Sequence, residues 1–465
     1  MARLSALQLY KLLPKTNCGK CPEKTCMAFA MKLMERGVKP EDCAELKGEK
    51  LKNLTDVITP PVRDVVIGNP EHAITVGGEE VIYRHDLRFF NPTGMLLDIS
   101  DTMSEEEIKS RVEFVKNYQY ERIGKFLKLD GVSVRCASND KEKFSNAVKF
   151  AVENIDKPII LCTTNPEIMK AGLEMAKKRR PLIYTAIPEN LKEMFELAKK
   201  YDCPLAIHSE NLNEIGSMTK TLMNAGWTDI VIDPGFDFEN LSSTLNKFEI
   251  LRTAAIKNVK EFSFPIMVST VGMKNLNLGE LAAVSEALAL SLCLDRFISL
   301  LVLSHFSEIY IVMEALTLRM NIYADPKVNP TTEPKVYPIG TPDENSPLLI
   351  TSNFALTYFG VAGDIESGKV SCYLLVIDTE GLAVLVALAG GKLNAVKIKE
   401  AMDANHVEKL VKHRKLIIPG YVGRIKGAIE DETKWGVLVG PQDSGGIGDF
   451  LRKNWTEGGL DVKTK

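Results

Sequence analysis

Residues 17–26 read NCGKCPEKTC, and a fourth nearby cysteine, Cys43, follows in KPEDCAEL. The chain has 9 cysteines in 465 residues, so a compact group at one end asks for a chemical reason. Cys18, Cys21, Cys26 and Cys43 are spaced C-x2-C-x4-C-x16-C. A loop carrying Gly19 and Pro22 lets the backbone curl until the first three thiolates face one centre. Cys43 returns to it from the far end of the helix between. Four thiolates suit a [4Fe–4S] cluster or a structural zinc. Zinc more often uses two separated C-x2-C knuckles. A compact triplet with a distant fourth ligand points to an iron–sulfur cluster. Cys136, Cys162, Cys203, Cys293 and Cys372 lie scattered in apolar runs and read as small buried hydrophobes.

The elements that position this group belong to a chain of 51.6 kDa, long enough for two or three domains. Hydrophobic residues make up 45% and charged residues 26%, ordinary for a globular protein. The net charge is −3, with no basic excess for nucleic acid and no basic run for an anionic membrane. The most apolar stretch, LAAVSEALALSLCLDRFISLLVL (281–303), carries Glu286, Asp295 and Arg296. It reads as a buried helix running into a strand, so no membrane insertion is expected. The start lacks the apolar core and small-residue cleavage site of a signal peptide. A cytoplasmic location follows as the expectation. Thiols there stay reduced, which favours metal over disulfides.

Residues 1–58 are helical in pattern, with apolar positions in SALQLYKLL and a Met/Phe stripe in TCMAFAMKLMERG. Pro60 and Pro61 mark a boundary. From 59 to 322 short apolar runs alternate with amphipathic stretches: VVIG, GMLLDIS, GVSVRCAS, PIILCTT, PLIYTA, PLAIHS, DIVIDPG, FPIMVST and ISLLVLS. Such strands imply a parallel sheet covered on both faces. About eight units over about 260 residues fit a TIM (β/α)8 barrel, with an open doubly wound sheet as the alternative. The proline-rich stretch 323–347 reads as a linker. Residues 348–465 carry their own strands and helices and read as a small doubly wound α/β domain. A redox cluster implies electron delivery, a barrel is a common enzyme scaffold, and a small α/β domain commonly holds a nucleotide-bearing cofactor.

KLLPKTNCGKCPEKTCMAFAMKL, YRHDLRFFNPTG, DENSPLLITSNFALTYFGVAGDIES, YLLVIDTEGLAVL, KLIIPGYVGRIKGAIED and VGPQDSGGIGDF occur together and in order. In these segments the chain resembles the family of corrinoid iron–sulfur protein large subunits, the gamma subunits of acetyl-CoA decarbonylase/synthase complexes, over essentially its whole length. The resemblance implies a [4Fe–4S] domain, a central TIM barrel and a C-terminal corrinoid domain. It implies a methyl group carried on cobalt, taken from a methyl-tetrahydropterin (tetrahydrosarcinapterin or tetrahydrofolate) and exchanged with the nickel site of acetyl-CoA synthase. Its partners would be the small (delta) subunit, as a heterodimer, the acetyl-CoA synthase subunit, and the methyl-tetrahydropterin or its methyltransferase. The four cysteines match the cluster ligands. Thr351, Thr357, Gly381, Leu382, Ala383, Val384 and Ser444 match positions that contact the corrinoid. Val386 departs from the pattern: some members have a hydroxyl residue there, near the lower cobalt face, and valine donates no hydrogen bond.

None of the six histidines, His72, His85, His208, His305, His406 and His413, sits in the D-x-H-x-x-G motif that supplies a cobalt ligand in many corrinoid methyltransferases. The expectation is a base-off corrinoid whose Co(II) form is reactivated by one electron from the cluster. Asp98, Asn165 and Asp233, at strand ends of the barrel, could be read as pterin ligands, but strand-terminal turn and capping roles are the preferred reading. No barrel residue is assigned a catalytic role. The competing readings are an iron–sulfur electron-transfer subunit with a purely structural barrel, and a zinc-stabilised assembly subunit.

Overall fold

The strand and helix periodicities of the sequence resolve into two units, residues 1–120 with 127–325 and residues 121–126 with 326–465. The computed structural model describes residues 5–83, 89–272, 279–306, 308–325 and 327–455. Part of the segment YRHDLRFFNPTG, including His85, lies outside them, as do residues 456–465 of the expected corrinoid domain.

The first unit opens with helices Ala6–Leu12, Cys26–Met34 and Gly48–Ile58. Leu9, Leu13, Phe29, Leu33, Leu46 and Leu54 form their common core. Arg36 ties this module to the segment that leads into the barrel. Its guanidinium donates to the Gly78 carbonyl at 2.6 Å and to Glu80 at 2.8 Å, and lies 4.3 Å from the centre of the Phe90 ring.

Eight parallel strands then close a barrel: Gly94–Ser100, Gly131–Arg135, Ile159–Cys162, Leu182–Ala186, Leu205–His208, Ile230–Asp233, Ile266–Ser269 and Ile298–Leu303. The closed order excludes the open sheet. Alternation along the strands sorts the side chains. Leu96, Ile160, Leu182, Ala206, Val231, Met267 and Leu300 fill the interior, while Leu97, Ile99, Leu161, Ile183 and Ile207 pack outward under the helices. The run VVIG is not a barrel strand. Val65–Ile67 pairs antiparallel with Ile74–Val76, and Val65, Ile67 and Val76 join the interior cluster. A three-residue strand with a nearby antiparallel partner has no crossover helix to place it in the parallel barrel.

The second unit is built on a five-stranded sheet in the order Val336–Ile339, Cys372–Ile377, Leu348–Ser352, Lys415–Ile418 and Gly436–Val439. The last four are parallel, and Val336–Ile339 runs antiparallel at the edge. The stretch expected as a pure linker thus contributes an edge strand, and its Pro338 occupies the position proline tolerates in sheets. Leu348 and Ile350 face one core, with Ile398 and Met402; Leu349 faces another, with Ile365 and Leu451. Helices therefore cover both faces. Chain order reverses between Leu348–Ser352 and Lys415–Ile418, the switch point at which ligands bind outside the carboxyl ends of such sheets. Among the described residues no helix is long and apolar enough to cross a membrane.

Candidate functional site

The cysteine loop is shaped by local backbone chemistry. Lys15, Asn17 and Gly19 all have positive φ, and Asn17 is of the residue type that most readily joins glycine there. The Asn17 carboxamide oxygen accepts from the Cys26 backbone N–H at 2.8 Å. Thr25 caps the same helix by accepting from the Ala28 N–H. Cys26 is thereby held at the first helical position, where unpaired N–H groups and the helix dipole favour negative charge. Cys43 follows the short turn Pro40–Asp42. Cys18, Cys21, Cys26 and Cys43 line one hollow together with Thr16, Asn17, Gly19, Thr25 and Phe29. Cys18 is exposed, whereas Cys26 and Cys43 are buried. The Lys20 N–H, and after it the Thr16 hydroxyl, hold the Cys18 thiol below its ordinary pKa. Among the described residues no three His, Cys, Asp or Glu side chains are grouped to hold a single metal ion. The gathering of four thiols was legible in their spacing; the supporting role of Asn17 was missed, though its place directly before the first cysteine was the available signal.

The barrel mouth carries the interior positions one step above the apolar layer. Asp98, buried, accepts two hydrogen bonds from Arg135, at 3.1 and 3.0 Å. Asp233, also buried, accepts from the Tyr184 hydroxyl at 2.5 Å, bonds His208 Nδ1 at 2.9 Å, and accepts from the Gly235 N–H at 2.9 Å. That carboxylate raises the His208 pKa. Burial, reinforced by Asp233, pushes the Tyr184 hydroxyl well above its ordinary value. Burial also lifts the Cys162 thiol to about 12, so it has no thiolate character at neutral pH. Asn165 caps helix Pro166–Ala176, accepting from the N–H groups of Glu167 and Ile168. Of the three side chains singled out in the barrel, Asn165 is a cap, and Asp98 and Asp233 are engaged with neighbours inside the mouth.

At the carboxyl edge of the second unit's sheet, Thr351 and Ser352 end the strand beside the switch point. Both are buried, and neither hydroxyl has a hydrogen-bond partner. Burying an unpaired hydroxyl costs about 1–3 kcal/mol, so each is a position that a polar partner from outside the chain would relieve, one on either face of the strand end. Asn353, next in the chain, organises the adjacent loop. Its carbonyl oxygen accepts from Thr379 N–H and hydroxyl, both at 2.9 Å, and from Gly381 N–H at 3.0 Å. Its amide donates to Asp378 at 3.0 Å. Gly381 has φ +73°, and a Cβ there would stand 2.9 Å from both Asn329 and Thr331. Leu382 and Ala383 continue this loop, and Val384 begins helix Val384–Ala389. Thr357 is in the first turn of helix Ala355–Ser367, half-buried. Ser444 donates to Asp364 of that helix at 2.5 Å, drawing the loop after the last strand toward it.

Of the seven expected corrinoid positions, Thr351 lies at the end of a strand and the other six in loops or helix starts at the carboxyl edge of the sheet. Gly381 is covered by Asn329 and Thr331, so its contribution is the shape of the loop. Ser352 and Asn353 were missed; the run TSN directly after an apolar strand was their signal. The same edge exposes Leu356, Leu385, Val386, Tyr421 and Val439. Gly360 and Gly363 lie in helix Ala355–Ser367 with open space where a Cβ would be, although each glycine costs a helix about 1 kcal/mol. Unpaired hydroxyls, exposed apolar side chains and an open glycine face fit a large, flat, partly apolar ligand bearing hydrogen-bonding groups.

Comparison with known proteins bears directly on this layout. The family model for the CO dehydrogenase/acetyl-CoA synthase delta subunit matches residues 64–451. A model for an Fe-S cluster matches residues 13–44, the segment holding all four clustered cysteines. The gamma subunit of the acetyl-CoA decarbonylase/synthase complex from Methanopyrus kandleri is 42% identical over 97% of this chain and 98% of its own length. Its counterpart from Methanothermobacter thermautotrophicus is 41% identical over 97% of this chain and 99% of its own. The chain belongs to this family of gamma subunits. The gamma subunit from Archaeoglobus fulgidus, 40% identical over 97% of this chain, extends the match to a third organism. Among solved structures, dihydropteroate synthase from Xanthomonas albilineans is similar at 15% identity and a TM-score of 0.36, over 50% of this chain and 94% of its own.

Proposed function

We propose that this gamma subunit is the methyl carrier of its complex, binding a [4Fe–4S] cluster through Cys18, Cys21, Cys26 and Cys43 and a base-off corrinoid at the carboxyl edge of its second unit. The observation that carries the reading is the pair of buried, unpartnered hydroxyls of Thr351 and Ser352 at the switch point. When bound, the corrinoid supplies a Co(I) nucleophile that accepts a methyl group from a methyl-tetrahydropterin and exchanges it with the nickel site of acetyl-CoA synthase, and the cluster supplies the electron that restores it.

The chain's own residues have the remaining tasks. Thr351 and Ser352 would hold the corrinoid through their hydroxyls. Thr357, Leu382, Ala383 and Val384 line its approach, Gly381 gives the loop its shape, and Ser444 fixes the far loop through Asp364. Val386, exposed at this edge, would offer the bound group an apolar side chain and no hydrogen bond. No histidine occurs in residues 352–355, 378–384, 419–424 or 440–446, which follow the parallel strands. His413 is occupied on the opposite side: Nε2 bonds the Ser346 carbonyl at 2.8 Å and Nδ1 the Lys415 N–H at 3.2 Å. His406 lies in the turn after helix Ala395–Ala404, mostly exposed beside Glu408. This supports a corrinoid without a protein imidazole ligand.

A zinc ion with Zn–S of about 2.3 Å needs its sulfurs about 4 Å apart, whereas a four-iron cluster holds its thiolates on four separate irons. Four thiols around one hollow, in the segment matched by the Fe-S cluster model, support the cluster. The partners in this reading are the delta subunit, the acetyl-CoA synthase subunit and the methyl-tetrahydropterin or its methyltransferase. Anaerobically purified protein should show corrinoid absorption bands over a broad iron–sulfur shoulder, with cobalt and iron by metal analysis. Iron without cobalt, and no uptake of added cobamide, would refute the carrier and leave the electron-transfer alternative.

A further inference from the structure

Asn353 is buried just after the strand Leu348–Ser352, and all four of its polar atoms are in use. Its backbone N–H donates to the Ile377 carbonyl and its backbone carbonyl accepts from the Thr332 N–H, both at 2.9 Å. Its side-chain oxygen accepts from the N–H groups of Thr379 and Gly381, and its amide donates to Asp378. The strand end, the loop 378–384 and the stretch 329–332 therefore meet on one residue. The loop is closed further from within. Asp378 accepts from the Glu380 N–H at 3.0 Å. The Thr379 hydroxyl stands between the Asn353 oxygen and the Leu382 carbonyl, at 2.9 and 2.7 Å, and joins the two ends of the turn. The Pro330 carbonyl accepts from the Ala355 N–H at 2.9 Å, which holds Asn329 and Thr331 against Gly381.

The choice of an amide at 353 has a physical reason. An aspartate would serve the donors on this oxygen better, since a charged acceptor makes the stronger bond. What excludes it is Asp378. A carboxylate at 353 would put a second negative oxygen about 3 Å from the first. An amide alone has two orientations of nearly the same shape. Asp378 removes that freedom, because it accepts only, and only the amide N–H can face it. The pair thus fixes which way the Asn353 side chain points. Through it the pair fixes Gly381 and the residues that follow.

We infer that Asn353, oriented by Asp378, is a positioning residue of the corrinoid site. It holds residues 381–384 in the binding shape before the corrinoid arrives, and so sets affinity without touching the macrocycle. The inference rests on the carrier reading above. A loop already in shape need not be ordered by its ligand, and ordering a loop on binding is paid in affinity. Asn353 itself is too deeply buried to reach a ligand at the rim, where Leu385 and Val386 are exposed.

The test titrates the full-length, corrinoid-free chain with cobamide by absorbance, with Trp435 and Trp455 fluorescence reporting that the second unit is folded. N353D sets two carboxylates against each other and should weaken binding about tenfold. N353D/D378N turns the pair round, with the amide at 378, and should recover most of that loss. I398V, a core change under the same sheet, should lower the thermal midpoint yet bind cobamide as wild type does. Should N353D not fold, the exposed position decides: D378A, which removes the acceptor, should weaken binding about fivefold, and D378N, which keeps one, should lose less. Undiminished binding by folded N353D, or by D378A, would overturn the inference. So would a folded double variant that binds no better than N353D, or an I398V that loses as much affinity as N353D. Wild type that takes up no cobamide would end the carrier reading and this one with it, whereas uptake by wild type and N353D alike ends this one alone.

Discussion

Replacing Thr351 by valine tests the corrinoid site through two effects of opposite sign. The Thr351 side chain is 2% exposed and its hydroxyl has no partner. Exchanging the hydroxyl for a methyl removes a desolvation cost of about 1–3 kcal/mol and keeps nearly the same shape. Valine also suits the strand at least as well as threonine. After allowance for imperfect packing of the methyl, the corrinoid-free protein should gain about 1 kcal/mol. In a unit of this size that raises the midpoint of thermal unfolding by about 3 °C. Trp435 and Trp455 both belong to the second unit, so their fluorescence follows its transition within the intact chain. Binding should move the other way. Losing one hydrogen bond to the macrocycle, worth about 1 kcal/mol, weakens cobamide affinity about fivefold in an absorbance titration. Ser352→Ala should repeat the pattern. If T351V lowers the stability of the cobamide-free protein, or binds cobamide as well as wild type does, the hydroxyl does not face the ligand and the assignment of this edge fails.

Cys21→Ser should lose cluster iron while keeping its cobalt, and should no longer be reactivated after oxidation to Co(II), as read by iron analysis and electron paramagnetic resonance; normal reactivation would refute the role of the cluster. Gly381→Ala forces a side chain to adopt φ +73° with its Cβ 2.9 Å from Asn329 and Thr331, and should cost about 2 kcal/mol in chemical denaturation. The His208 pKa is raised in the folded protein by Asp233, so the pair contributes stability that is fully present below the ordinary histidine pKa of about 6.5 and is lost as pH rises through the raised folded value. His208→Gln should abolish that part of the pH dependence of barrel unfolding, and an unchanged profile would show that the pair does not titrate there.

Much of this organisation was legible because it rests on short-range pattern. Eight of the nine apolar runs from 65 to 304 became barrel strands, since a strand buried on both faces must be apolar throughout. The ninth, VVIG, has the same composition, and only its pairing with Ile74–Val76 decides its place. The strand Val336–Ile339 was hidden by Pro338 and by prolines on either side, because an edge strand needs few hydrogen bonds and can carry them. Cysteine spacing announces the cluster loop, but not Asn17, whose contribution is one hydrogen bond to the N–H of Cys26. Thr351 and the run TSN could be picked out in the sequence, but that the Thr351 and Ser352 hydroxyls have no partner emerges only when the rest of the fold has been placed.

The two sheet ends differ in what surrounds their polar groups. At the barrel mouth the carboxylates are engaged inside the protein: Asp98 by both nitrogens of one Arg135 fork, Asp233 by Tyr184, His208 and the Gly235 N–H. A buried carboxylate can stay charged only with such partners, and once it has them little remains with which to bind or abstract a proton from a substrate. At the carboxyl edge of the second unit the surroundings differ. The loop is fastened by Asn353, and the rim is apolar and exposed. Unpaired buried hydroxyls occur at both places, Thr185 in the barrel and Thr351 and Ser352 in the small sheet. What favours the corrinoid reading proposed above is therefore the combination at the second edge, where such hydroxyls adjoin an exposed apolar rim and a helix with open space at Gly360 and Gly363.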